Sequence, residues 1–176
     1  MYLITINIDV FLRVAKVARV AEGRRGPEGG RGEVERKRER EEGKQRKTKA
    51  NKENKIILDG AHNPSAAKAV VKEILNNKWQ NTYLILAMQR NKDLIGFMKP
   101  FEGRVKKVFV IESNEENFLT PAEIKSKLTA RDFDIYTKKN VQSAAKTIAK
   151  ISNVGSNSII ITGSLYFIGR ILENNS

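Results

Sequence analysis

The chain has 176 residues, no cysteine, one histidine and a formal net charge of +13. That length builds one domain with a real core, or a domain with an appendage. The missing thiols exclude disulfides and thiolate metal sites, and one imidazole is too few for a transition-metal site made of side chains. No protein metal ligand is therefore expected, although magnesium held partly by a nucleotide stays open, since it needs only one or two protein oxygens. No apolar run is long enough to span a bilayer. The first twenty residues contain Asp9 and lack a basic opening, so they make a poor signal peptide. A cytoplasmic setting without membrane is the expectation.

The charge can attract nucleic acid, anionic membrane or an anionic small molecule. Its distribution is even. Residues 1–54 carry fifteen Lys or Arg and nine Asp or Glu, and residues 55–176 carry eighteen and eleven. Neither part is a concentrated basic block.

Residues 1–54 read as a leader. Within the apolar stretch 2–20, Ile4, Ile6, Ile8, Val10 and Leu12 alternate like a strand, while Val10, Val14, Val17 and Ala18 recur like a helix face. The charged, low-complexity stretch 21–54 has Val34 as its only large aliphatic. It cannot bury enough apolar surface to offset its ordering entropy, so disorder or an irregular, solvated helix is expected. A nucleic-acid-binding tail is the sharper reading and is disfavoured, because Glu is interleaved throughout and no aromatic is present for stacking.

From residue 55 onward strands and helices alternate. Lys55–Asp59 is strand-like, and Pro64–Asn76 reads as a helix with Asn63 as N-cap and Pro64 at the first position. Ala67, Val70, Val71, Ile74 and Leu75 form its apolar stripe. Thr82–Ala87 is a strand, Lys92–Lys99 a short helix and Val105–Ile111 a third strand. Thr120-Pro121-Ala122-Glu123 starts a helix that runs to about Ala130, with Thr120 as cap and Glu123 at the third position. Asp134–Thr137 is a brief strand, Asn140–Ile151 a helix, Ser158–Thr162 a buried strand and Ser164–Leu172 the closing helix. This alternation predicts an α/β, Rossmann-like domain over 55–176: five strands in a mostly parallel sheet with helices on both faces.

Three strand-to-helix turns carry polar groups. Asp59-Gly60-Ala61-His62-Asn63-Pro64 puts an acid, the only histidine and an amide on one turn. In an open α/β sheet that turn lies at the carboxyl end of a strand, where ligands bind. Asp59 can accept from ribose hydroxyls or hold a metal-bound water. His62 can donate to phosphate or carboxylate oxygens, and free amides at the helix start favour an anion. The structural alternative is equally open: Asp59 ends a strand, Asn63 caps a helix and His62 lies on the surface. At Thr162-Gly163-Ser164, Gly163 permits close approach of a ligand, while Ser164 reads first as a helix cap. At Arg90-Asn91-Lys92-Asp93, Lys92 can reach a phosphate or a carboxylate, and the plainer reading is a solvated loop with a helix-opening Asp. The sequence has no Gly-x-x-x-x-Gly-Lys-Ser/Thr loop, no Gly-x-Gly-x-x-Gly after a strand and no Gly-x-Ser-x-Gly elbow.

Ile57-Leu58-Asp59-Gly60-Ala61-His62-Asn63-Pro64, together with Ile160-Ile161-Thr162-Gly163-Ser164-Leu165-Tyr166-Phe167-Ile168-Gly169, resembles the C-terminal domain of folylpolyglutamate synthase/dihydrofolate synthase, in the Mur ligase superfamily. Lys92-Asp93 falls where that family commonly has a Lys-Asp pair. The resemblance covers roughly residues 55–176. It implies an ATP- and Mg2+-dependent ligase that joins glutamate to a folate or dihydropteroate carboxylate through an acyl phosphate. It implies nucleotide contact by Asp59, with Asn63 and Ser164 lining the same cleft, and a catalytic His62 near the reacting groups.

The departures matter as much. The family's Thr-Asn-Gly-Lys-Gly-Ser phosphate loop and its carbamylated lysine belong to a central domain that this sequence does not contain. Arg46 lies at a suitable distance for the family's nucleotide-binding Arg, but it lacks the Pro-Gly context. The expectation is a fragment supplying one wall of the site, inactive alone, with a separate chain as a possible source of the central ATPase domain. The alternatives are a basic nucleic-acid-binding protein and a non-catalytic interaction module that kept the fold.

Overall fold

The computed structural model describes residues 4–7, 55–151 and 157–173. Six strands form one sheet: β1 (Ile4–Asn7), β2 (Lys55–Leu58), β3 (Asn81–Leu86), β4 (Lys107–Ile111), β5 (Ile135–Lys138) and β6 (Asn157–Thr162). Their order is β1-β2-β6-β3-β4-β5. Every pair from β2 to β5 is parallel, as predicted, and β1 alone runs antiparallel, with Ile4 opposite Leu58 and Asn7 opposite Lys55. Ile4–Asn7 thus adds a sixth strand where the alternating isoleucines begin. The expectations for the rest of 1–54 lie outside the described residues.

The helices are α1 (Pro64–Asn76), α2 (Leu94–Met98), α3 (Pro121–Leu128), α4 (Val141–Ile151) and α5 (Leu165–Glu173), with a 3-10 turn at Lys99–Phe101. Strand side chains alternate between faces. Ile57, Leu84, Leu86, Val108, Val110 and Ile160 point to one side and pack under α1, α2 and α3. Ile56, Leu58, Ile85, Phe109, Ile159 and Ile161 point to the other and pack under α4 and α5. The central strand β6 is buried along its whole length, which explains its unbroken apolar run.

Local chemistry sets the helix limits. Asn63 caps α1 by accepting from the Ala66 amide, and Pro64 occupies the first turn. Of the predicted stripe, Ala67, Val70, Val71 and Ile74 are buried, whereas Leu75 is 50 % exposed because it lies one step beyond the packed arc. The predicted helix over 92–99 is shorter. Asp93 accepts from Gly96 N and so acts as the cap, which leaves Lys92 outside the helix. At Pro100 the chain passes into the 3-10 turn. Thr120 and Glu123 form the expected capping box at α3. Among the described residues, no helix is long and apolar enough to cross a membrane.

Candidate functional site

Strands β2, β6 and β3 are parallel neighbours, so the turns after them share one edge of the sheet. The chain leaves β2, passes over β6 and enters β3, while β6 is filled last. Ligands in open α/β sheets bind at such a switch point.

Backbone bonds lock the three strand ends together. Asp59 N donates to Ile161 O at 3.0 Å, and Ala87 N donates to Thr162 O at 3.3 Å. Gly163 N donates to Ala61 O at 2.9 Å, and Thr162 Oγ1 donates to the same carbonyl at 3.1 Å. Gly163 has φ +111°, and a Cβ there would lie 2.5 Å from Ala87 O. The glycine is required on both counts. Gly60 is less confined, since a Cβ there would lie 2.4 Å from Leu165 Cδ1, the end of an exposed side chain that can turn aside.

Asp59 is buried at this corner. Its Oδ1 accepts from Ala61 N at 2.8 Å, while Oδ2 is buried with no hydrogen-bond partner. Burial raises the Asp59 pKa, against the opposing pull of the Ala61 amide. His62 is half-buried, and its Nδ1–H donates to Gly60 O at 3.0 Å. A carbonyl oxygen can only accept, so the neutral ring carries its proton on Nδ1 and presents Nε2 as an acceptor. Asn63 is exposed, and its Oδ1 accepts from Ala66 N at 2.9 Å, while its NH2 group can donate. Ser164 is buried, and its Oγ accepts from Phe167 N at 3.4 Å. The plain capping reading of Ser164 therefore holds.

An open groove along this edge is lined by His62, Gln89, Lys92, Ser164, Leu165 and Tyr166. It joins residues from all three turns singled out in the sequence. Asp59, buried in the corner, and Asn63, on the cap of α1, are not among its lining residues. The Arg90–Asp93 turn divides its labour. Arg90 pairs with Glu123 and donates from Nε to Glu116 O at 2.8 Å, so it is a scaffold residue. Asp93 caps α2, and Lys92 alone reaches the groove. Among the described residues, no three His, Cys, Asp or Glu side chains converge as a metal site.

Leu165 and Tyr166 escaped the sequence reading. They are 69 % and 54 % exposed at the rim of the groove. Their position directly after Thr162-Gly163-Ser164 was the available signal.

A family model described as the dihydrofolate synthetase C-terminal domain matches residues 42–174. The dihydrofolate synthetase of Saccharomyces cerevisiae is 26 % identical over 134 residues, covering 70 % of this chain and 31 % of the yeast protein. The fold resembles that of the Mycobacterium tuberculosis folylpolyglutamate synthase complexed with ADP, with a TM-score of 0.61 at 20 % identity over 69 % of this chain and 30 % of that one. It also resembles the bifunctional folylpolyglutamate synthase/dihydrofolate synthase of Yersinia pestis complexed with AMPPNP and Mn, with a TM-score of 0.57 at 19 % identity over 68 % and 28 %. The chain thus spans less than a third of each of these relatives.

Proposed function

On the premise that this chain belongs to the dihydrofolate synthetase C-terminal domain family, we propose that it forms one wall of an ATP-dependent ligase that joins glutamate to dihydropteroate. One observation carries the reading: His62, Lys92 and Ser164, from three separate strand ends, line a single groove. The family description and the yeast relative favour dihydropteroate over a folylpolyglutamate as the acid substrate. The nucleic-acid alternative finds no support in the family match.

The residues suit a nucleotide. The orphaned Asp59 Oδ2 is an acceptor already stripped of water, suited to a hydroxyl or a metal-bound water. Lys92 supplies a cation for a phosphate or carboxylate, and Ser164 lines the same groove. The protein ligands for Mg2+ come largely from elsewhere, because the described residues bring no acidic cluster together. When bound, ATP supplies the phosphoryl group that activates the substrate carboxylate. The glutamate amine then forms the C–N bond as phosphate leaves. Here His62 Nε2, set as an acceptor by the Gly60 carbonyl, takes a proton from the incoming ammonium. Exposed Leu165 and Tyr166 at the rim suit contact with a second lobe, the one bearing the phosphate loop. That lobe belongs to the same polypeptide or to another.

The test is a graft. Residues 55–176 replace the matching lobe of the yeast dihydrofolate synthetase. The graft is expected to join glutamate to dihydropteroate, and His62→Ala is expected to lower its turnover by about a hundredfold. The chain alone, given ATP, Mg2+, dihydropteroate and glutamate, is expected to make no product. Turnover by the chain alone overturns the one-wall reading. A folded, active graft indifferent to His62→Ala removes His62 from the chemistry.

A further inference from the structure

A second cavity, of about 330 Å3, opens on the same edge, beyond Tyr166 and over the α4–α5 face. Its size falls at the lower end of the range for small-molecule sites, roughly 300–1,000 Å3. Ile111, Phe118, Val141 and Ile171 are buried and make its floor apolar. Tyr166 and Phe167 wall one side. Phe118 and Tyr166 lie 6.4 Å apart, centroid to centroid and tilted, so the wall is aromatic.

The rim carries four charges in two sets. Arg170 and Glu115 are paired with each other, and Arg170 also lies over the Tyr166 ring. Glu112 and Lys139 differ. They stand at adjacent strand ends, where Glu112 N donates to Lys138 O at 3.0 Å. Their side chains both line the cavity, yet no ion pair forms between them. Two neighbouring, opposite, unpaired charges above an apolar floor make a site that is neutral overall but strongly polarised.

We infer that this cavity binds a zwitterionic α-amino acid with an apolar or aromatic side chain. The ammonium meets Glu112, the carboxylate meets Lys139, and the side chain lies on the Phe118 and Ile111 floor between the aromatic walls. The charge balance argues against glutamate here, because its extra carboxylate would face Glu112 or Glu115 without a free cation. The site is therefore distinct from the groove of the proposed ligase and stands whether or not that reading does. Tyr166 lines both spaces, so occupancy of the cavity reaches the groove through that one ring.

The test is binding to the whole chain, measured by calorimetry and by NMR shifts at Tyr166. L-phenylalanine is the probe. Phenethylamine, which lacks the carboxylate, and phenylacetate, which lacks the ammonium, should each bind at least about tenfold more weakly, as should L-glutamate. Glu112→Gln should weaken phenylalanine about tenfold and leave phenylacetate unchanged, and Lys139→Met should weaken phenylalanine likewise and leave phenethylamine unchanged. Both positions are exposed, so folding is spared. Absence of phenylalanine binding overturns the inference. So does indifference to both substitutions, or tighter binding of glutamate, which would make the cavity part of the ligase site instead.

Discussion

Gly163 N donates to Ala61 O at 2.9 Å, joining the turn after the first parallel strand to the turn after the last across 102 residues of sequence. Thr162 Oγ1 adds a second bond to that carbonyl. The acid–histidine corner and the Thr-Gly-Ser corner are thus one structure. A site shared between them requires that adjacency.

Gly163→Ala should break this corner. The new methyl would meet Ala87 O at 2.5 Å, in a backbone region that L-residues avoid. Strain of this kind costs about 1–3 kcal/mol. Thermal unfolding should show a lowered Tm, and NMR shift changes should concentrate at Ala61, Ala87 and Ser164. A silent substitution would mean that the turn relaxes freely.

Asp59→Asn should stabilise the fold at neutral pH while harming nucleotide contact in the grafted enzyme. Burial raises the pKa of Asp59 above 3.8, so the folded state favours the protonated acid. Its contribution is full below the unfolded value and declines as pH rises through the folded value. The stability advantage of the amide should therefore grow with pH and disappear in acid. Melting curves across that range check the sign, and an advantage that grows toward acid contradicts it.

The Glu123 carboxyl sits at about 2, held down first by Arg90 and then by the Thr120 amide and hydroxyl. Its contribution is present above its usual 4.5 and fades as pH falls toward about 2. Glu123→Gln should flatten the acid limb of a Tm–pH curve and loosen the Lys92 turn that Arg90 braces. Thr120→Ala should remove the cap and the hydroxyl's bond to Glu123 but spare the Arg90 pair, at about 1 kcal/mol.

The His62 ring should show the Nδ1–H tautomer. Nitrogen-15 NMR of the neutral ring distinguishes the two tautomers directly. An Nε2–H tautomer would contradict the Gly60 bond and the proton-acceptor role together.

Much of the fold was readable because local chemistry controls it. The bounds of α1, its Asn63 cap and the capping box of α3 follow from residues within four positions of one another. The alternating elements gave the parallel sheet. The predicted helix over 92–99 began too early, although Asp93 was read as a helix-opening residue and does take the cap. The antiparallel β1 was visible only as an ambiguous alternation, since Ile4–Asn7 becomes a strand by pairing with a distant edge.

The site divides in the same way. Sequence alone singled out Asp59, His62 and Thr162-Gly163-Ser164, because polar residues at strand ends stand apart from the apolar strands before them. It determined the helix caps too, since those bonds are local. Only the tertiary structure decided that β6 slips between β2 and β3, bringing Ser164 beside His62. It also separated Lys92 from Arg90, and it left Leu165 and Tyr166 exposed at the rim of the groove. Strand order and exposure depend on contacts between segments far apart in the chain, and a local pattern carries no information about its distant neighbours.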